Sequence, residues 1–76
     1  MNRRIIRDRL EVLGYKYEIW TNEKYFKVRV REENTLEMEY LLKGLFPEAR
    51  KIWWRKNYHS NGWNISLPRF GPEEYK

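Results

Sequence analysis

Two segments with apolar residues at helical spacing, each followed by a pair of alternating segments around a polar turn, predict an α+β fold. The length adds a second constraint. Seventy-six residues make one small domain, whose core must be dense in large side chains. Composition is the third: 17% of the chain is aromatic, with four tryptophans to supply that density. A chain 41% hydrophobic is too apolar for a disordered tail, and 36% charged is very polar for an ordinary enzyme core.

The first helix is expected over Asn2 to Leu13. Ile6, Leu10 and Leu13 recur at i, i+4 and i+7, with Ile5 and Val12 widening the stripe. Arg4, Arg7, Asp8 and Glu11 fall on the watery side, and Gly14 suits a left-handed C-terminal cap. Tyr15 to Trp20 then alternates, breaks at the polar turn Thr21 to Lys24, and alternation resumes from Tyr25 to Arg31. Two such runs around a short turn make a β-hairpin.

Asn34 is a natural N-cap for the second helix, with Glu37 three residues on completing a capping-box spacing. Met38, Leu41, Leu42 and Leu45 form its stripe, flanked by Phe46, and Pro47 stops it near Leu45. Arg50 to Lys56 reads as a third strand. The stretch Asn57 to Gly62 is turn-rich and ends in Asn-Gly, a tight-turn dipeptide. Trp63, Ile65 and Leu67 alternate with Asn64 and Ser66 as a fourth strand ended by Pro68.

The order is therefore αββαββ. The expected architecture is a two-layer sandwich, a four-stranded antiparallel sheet with two helices on one face, spanning residues 1–69 and followed by an irregular tail, 70–76. In cyclic order this resembles a permuted ferredoxin-like sandwich, a likeness of architecture that fixes no function.

Charge is distributed unevenly. The net charge is +5, yet residues 1–31 carry +5, residues 32–48 carry −4 and residues 49–70 carry +5. The acidic block coincides with the second helix; the positive charge lies on the first helix and the hairpins. Strand parity then sorts the side chains. If Phe26, Val28, Val30, Ile52, Trp54, Trp63, Ile65 and Leu67 face the helices, the other face shows Lys16, Glu18, Trp20, Tyr25, Lys27, Arg29, Arg31, Lys51, Trp53, Arg55, Asn64 and Ser66.

Such a face predicts a small, basic, non-enzymatic nucleic-acid-binding protein, DNA or RNA, with single strands favoured. Trp20, Tyr25 and Trp53 would stack on bases; Lys27, Arg29, Arg31, Lys51 and Arg55 would bind phosphates. RNA-recognition modules use the same physics on a four-stranded sheet, but their glycine-containing RNP1 pattern is absent from Tyr25 to Arg31. Against this stands plain surface chemistry. A solvated sheet face needs polar residues, lysine and arginine deter edge pairing, Glu18 would pair with a neighbouring cation, and Phe70 and Tyr75 of the tail could cover Trp20 and Trp53. Arg3, Arg4, Arg7 and Arg9 form a second basic patch, for which pairing with Asp8 and Glu11 is the simpler explanation.

Catalysis finds little support. His59 is the only histidine, in a polar turn, facing only Ser60 and Ser66 as nucleophiles and Asp8 as the single aspartate. Glu18, Glu32 and Glu33 are poor candidates for a metal centre, there is no glycine-rich phosphate loop, and no cofactor is expected. The alternative function is a protein-interaction module, such as a small phage or mobile-element accessory or inhibitor protein docking on a larger partner or ribonucleoprotein. Trp, Tyr and Arg dominate interface hot spots, and the acidic second helix could also meet the basic face of another copy. No stretch approaches the roughly 20 apolar residues of a membrane helix. Absence of cysteine and of an apolar signal segment predicts a cytoplasmic protein.

Overall fold

The computed structural model describes residues 1–56 and 61–69. Two helices, α1 (Arg3–Leu13) and α2 (Leu36–Leu45), accompany four strands, β1 (Tyr17–Thr21), β2 (Tyr25–Val30), β3 (Lys51–Arg55) and β4 (Gly62–Pro68). All strand pairs are antiparallel, in the order β1-β2-β4-β3. The class is α+β, as the alternating patterns predict. Residues 57–60 of the expected turn over 57–62, His59 among them, and the 70–76 tail with Phe70 and Tyr75 lie outside the described residues.

Helix α1 starts where its sequence can satisfy the loose N–H groups. Asn2 is the N-cap, its Oδ1 accepting from the Ile5 N–H at 2.9 Å. It ends at Gly14, whose φ of 74° is the left-handed cap, with its N–H donating to the Glu11 carbonyl at 3.1 Å. Ile6 and Leu10 are fully buried and Leu13 is half-buried, but Ile5 and Val12 do not widen the stripe. At about 100° per residue they rotate to the outer side, where Val12 is 87% exposed.

The hairpin turn is built on Asn22. Its Oδ1 accepts from the N–H groups of Lys24 (3.0 Å) and Tyr25 (2.7 Å), so the chain reverses over Asn22 to Lys24 and Thr21 stays in β1. From there β1 pairs with β2 as Trp20 to Lys27 and Glu18 to Arg29.

Helix α2 begins one residue later than its capping-box spacing suggests. Thr35, not Asn34, is the N-cap: its Oγ1 accepts from the Met38 N–H at 3.1 Å and its carbonyl from the Glu39 N–H. The linker before it is pinned by two indoles. Trp54 Nε1 donates to the Glu32 carbonyl at 3.0 Å, and Trp63 Nε1 to the Glu33 carbonyl at 2.9 Å. Those bonds hold residues 32 and 33 outside the helix, and the first turn forms after them. Met38 and Leu42 are buried, whereas Leu41 sits at the margin of the stripe. Helix α2 stops at Leu45, ahead of Pro47, with Phe46 turned into the core.

One core joins the layers. Ile6 and Leu10 of α1, Met38 and Leu42 of α2, and Phe46 are buried with Phe26, Val28, Val30, Trp63, Ile65 and Leu67; Ile52 and Trp54 pack against its edge. Those are the residues that strand parity assigns to the helix side. Each fully buried large side chain contributes about 1.5–3 kcal/mol relative to exposure.

Asn61-Gly62 is not the centre of a tight turn. Gly62 is the first residue of β4, opposite Arg55, and among the described residues only Gly14 has a positive φ. Its missing side chain serves packing: a Cβ there would meet the Val30 carbonyl oxygen at 2.7 Å. No helix among the described residues is long and apolar enough to cross a membrane.

Candidate functional site

The sheet face turned away from the core gathers most of the residues expected to bind. Two rows cross it. Trp20, Lys27, Ser66 and Lys51 lie in one register line, and Glu18, Arg29, Asn64 and Trp53 in the next. Tyr25 lies beyond the first row, opposite Pro68, and Arg55 beyond the second, opposite Gly62. Arg31 just outlasts β2, its N–H donating to the Lys16 carbonyl at 3.0 Å, so the ladder persists where the strand formally ends.

Trp20 stands on β1 and Trp53 on β3, the two outer strands. Three strand spacings across and one row along separate them, about 16 Å. Between them the central strands carry short or flexible side chains, and a depression of about 300 Å³ opens, lined by Trp20, Lys27, Arg29, Trp53 and Asn64. Asn64 keeps it open. A bulky residue at this outward position of β4 would fill the space between the indoles. Period-two spacing places Asn64 on this face, but gives no sign of the gap it leaves.

Each of the three rings is partnered by a cation. The Arg29 guanidinium lies 5.1 Å from the centroid of the Trp20 ring. Lys27 Nζ is 5.2 Å from Tyr25 and 5.9 Å from Trp53, and Lys51 Nζ is 4.8 Å from Trp53. Contacts of this kind contribute about 0.5–1 kcal/mol at exposed sites and hold the charged heads low over the sheet. Lys27 also donates to Ser66 Oγ (3.1 Å) and Arg29 Nε to Asn64 Oδ1 (3.4 Å), both neutral acceptors.

Arg31 differs from the others. Its guanidinium pairs with the Glu18 carboxylate across the hairpin, the one acidic side chain of this face among the described residues. The expected Glu18 pairing is thus with Arg31. Lys51 and Arg55 make no ion pair among the described residues.

The arginines of α1 separate into two groups. Arg9 leaves the expected patch and reaches α2's end: Nη1 and Nη2 bond Glu48 Oε1 and Oε2 at 2.9 and 3.0 Å, and Nη1 also donates to the Leu45 carbonyl. That bond holds the Glu48 carboxyl below the usual carboxylate range and raises Arg9 further. On the opposite flank, Arg3 Nη2 donates to the Ile19 carbonyl on the outer edge of β1 at 3.2 Å. The simple pairing of Arg4 and Arg7 with Asp8 and Glu11 is not formed. Neither arginine makes an ion pair among the described residues, and Glu11 instead accepts from the Tyr17 hydroxyl at 2.8 Å.

The chain matches no protein-family model, no curated protein and no solved structure.

Proposed function

We propose that the protein is a small, non-enzymatic nucleic-acid-binding protein whose outer sheet face holds a single strand. The observation that carries this reading is the pair of outer-strand indoles, Trp20 and Trp53, set either side of Lys27 and Arg29 around one open depression. Unpaired bases offer ring faces to stack on tryptophan, and their phosphates exchange counterions for lysine and arginine. A duplex hides its base faces and would use only the charges. The strand order β1-β2-β4-β3 is also the order obtained by circularly permuting a ferredoxin-like sandwich, which supports that finer description of the fold. A cytoplasmic setting is consistent with the cysteine-free chain.

The direct test is fluorescence anisotropy with labelled single-stranded and duplex DNA and RNA, from about 50 to 200 mM salt. Single strands should bind more tightly than duplexes, with a steep salt dependence and quenching of tryptophan emission. Absence of binding at the lowest salt sinks the proposal.

A second reading rests on α2. Leu36 is 69% and Tyr40 70% exposed, one turn apart beside Glu37, in the acidic block of the chain. That apolar and acidic surface suits a protein-interaction module, with the basic sheet face of another copy as its complement. Self-association that disappears between low and high salt, measured by sedimentation, would favour it.

A further inference from the structure

The flank of α1 that carries Arg3 and Arg7 runs along the outer edge of β1, next to the Trp20 end of the sheet face. Arg3 is tied there by its bond to the Ile19 carbonyl, one residue before Trp20. Arg3 and Arg7 line one groove with Tyr17 and Ile19, and a second with Arg4, Asp8 and Glu11. Spacing explains the alignment: i and i+4 stack on one helix face, so Arg3 and Arg7 point along β1 while Arg9 is carried round to Glu48. Of the acids nearby, Glu11 is engaged by Tyr17, and Asp8 makes no ion pair among the described residues.

Resting on the nucleic-acid reading of the sheet face, we infer that a bound single strand leaves that face at Trp20, turns over the β1 edge, and continues along α1 with its phosphates on Arg3, Arg7 and Arg4. The sheet face is four strands wide, enough for the two or three bases that such sheets stack. A longer strand must leave it somewhere. At the β1 edge it meets exposed guanidinium groups, which form bidentate bonds to phosphate. Helix α1 itself carries no aromatic residue, and the half-buried Tyr17 lining the groove is held by its hydroxyl on Glu11, so the track contacts phosphates more than bases.

The test compares oligothymidylates of about four and about twelve nucleotides, bound to the parent and to an Arg4→Gln/Arg7→Gln double variant, with tryptophan quenching as the readout. Arg3 is left in place because it also closes the sheet edge, and glutamine keeps good helix propensity at both exposed positions. Two lost phosphate contacts should lower the slope of log K against log salt by about 1.4 for the long strand, equivalent to about a sevenfold smaller loss of affinity between 50 and 200 mM. The short strand should bind both proteins alike. An Arg4→Lys/Arg7→Lys protein should regain the slope. An unchanged slope on the long strand, with parent binding intact, overturns the track and leaves the sheet face standing. Failure of the parent to bind either length overturns the sheet-face reading and the track together.

Discussion

Arg9 and Glu48 form a two-pronged ion pair, both guanidinium nitrogens meeting both carboxylate oxygens within 3.0 Å, that fastens α1 to the segment following α2. The helices therefore share a polar clasp as well as a core. Side chains of both partners stay about one-third exposed, so the pair contributes no more than about 1 kcal/mol.

Its pH dependence has a definite sign. Arg9 holds the Glu48 carboxyl below its unfolded value, so the folded chain resists protonation more than the unfolded one. The stabilisation is complete above about pH 4.3, the ordinary glutamate value, and fades as the pH falls through the lowered one. A Glu48→Gln protein should be less stable than the parent at pH 7 and nearly equal to it at about pH 2–3. Urea unfolding at both pH values measures this, and equal gaps at both would refute it.

Trp63 and Trp54 donate to adjacent carbonyls but differ in burial. Trp63 is only 3% exposed, so its N–H bond to the Glu33 carbonyl is shielded on the indole side, while that carbonyl also accepts from the Thr35 N–H at 3.1 Å. Trp63→Phe should cost about 0.5–1.5 kcal/mol, counting the lost bond alone. Trp54 is half-buried, and Trp54→Phe should cost less. Denaturant midpoints for the two variants decide the order.

The start of α2 separates two good capping residues that stand side by side. Thr35→Ala should lose about 1 kcal/mol, because Thr35 Oγ1 holds the Met38 N–H. Asn34→Ala should stay within about 0.5 kcal/mol of the parent. Thermal melts that reverse this order would place the cap at Asn34.

Cations on the sheet face should contribute unequally to binding. Arg31 already faces Glu18, whereas Lys51 sits over Trp53 without an acidic partner among the described residues. Lys51→Ala should therefore weaken single-strand binding and its salt slope more than Arg31→Ala. Trp53→Ala should cost about 1–3 kcal/mol of binding if its ring holds a base. Equal effects of the two cation variants would show that pairing with Glu18 does not shield Arg31.

The elements were readable because each carries a local signal. Alternation over Tyr25 to Arg31 and Trp63 to Leu67 assigns the two sheet faces correctly, and Gly14 and Pro47 mark both helix ends. What escaped was set by distant contacts. Nothing near Asn34 announces that indoles twenty to thirty residues away take the carbonyls of Glu32 and Glu33 and shift the cap to Thr35. Arg9 resembles its neighbours on α1 until Glu48 is brought beside it by the packing of the helices. Gly62 looks like a turn residue because Asn precedes it, although its role is clearance for the Val30 backbone. On the candidate face, residue types and parity located the rings and cations, while their mutual stacking and the Arg31–Glu18 pair required the register.

The β2–β4 pairing has a kinetic meaning. Both strands are central, and every registered pair between them joins positions more than thirty residues apart, from Val30 with Trp63 to Tyr25 with Pro68. The β1–β2 hairpin can close quickly by local encounter, but the sheet's middle seam must wait until β4 arrives from the far end of the chain. Folding should accordingly be limited by that long closure, slower than for a helical bundle of equal size. Substitutions along the seam, such as Val28→Ala or Ile65→Ala, are then the ones to examine for slowed refolding.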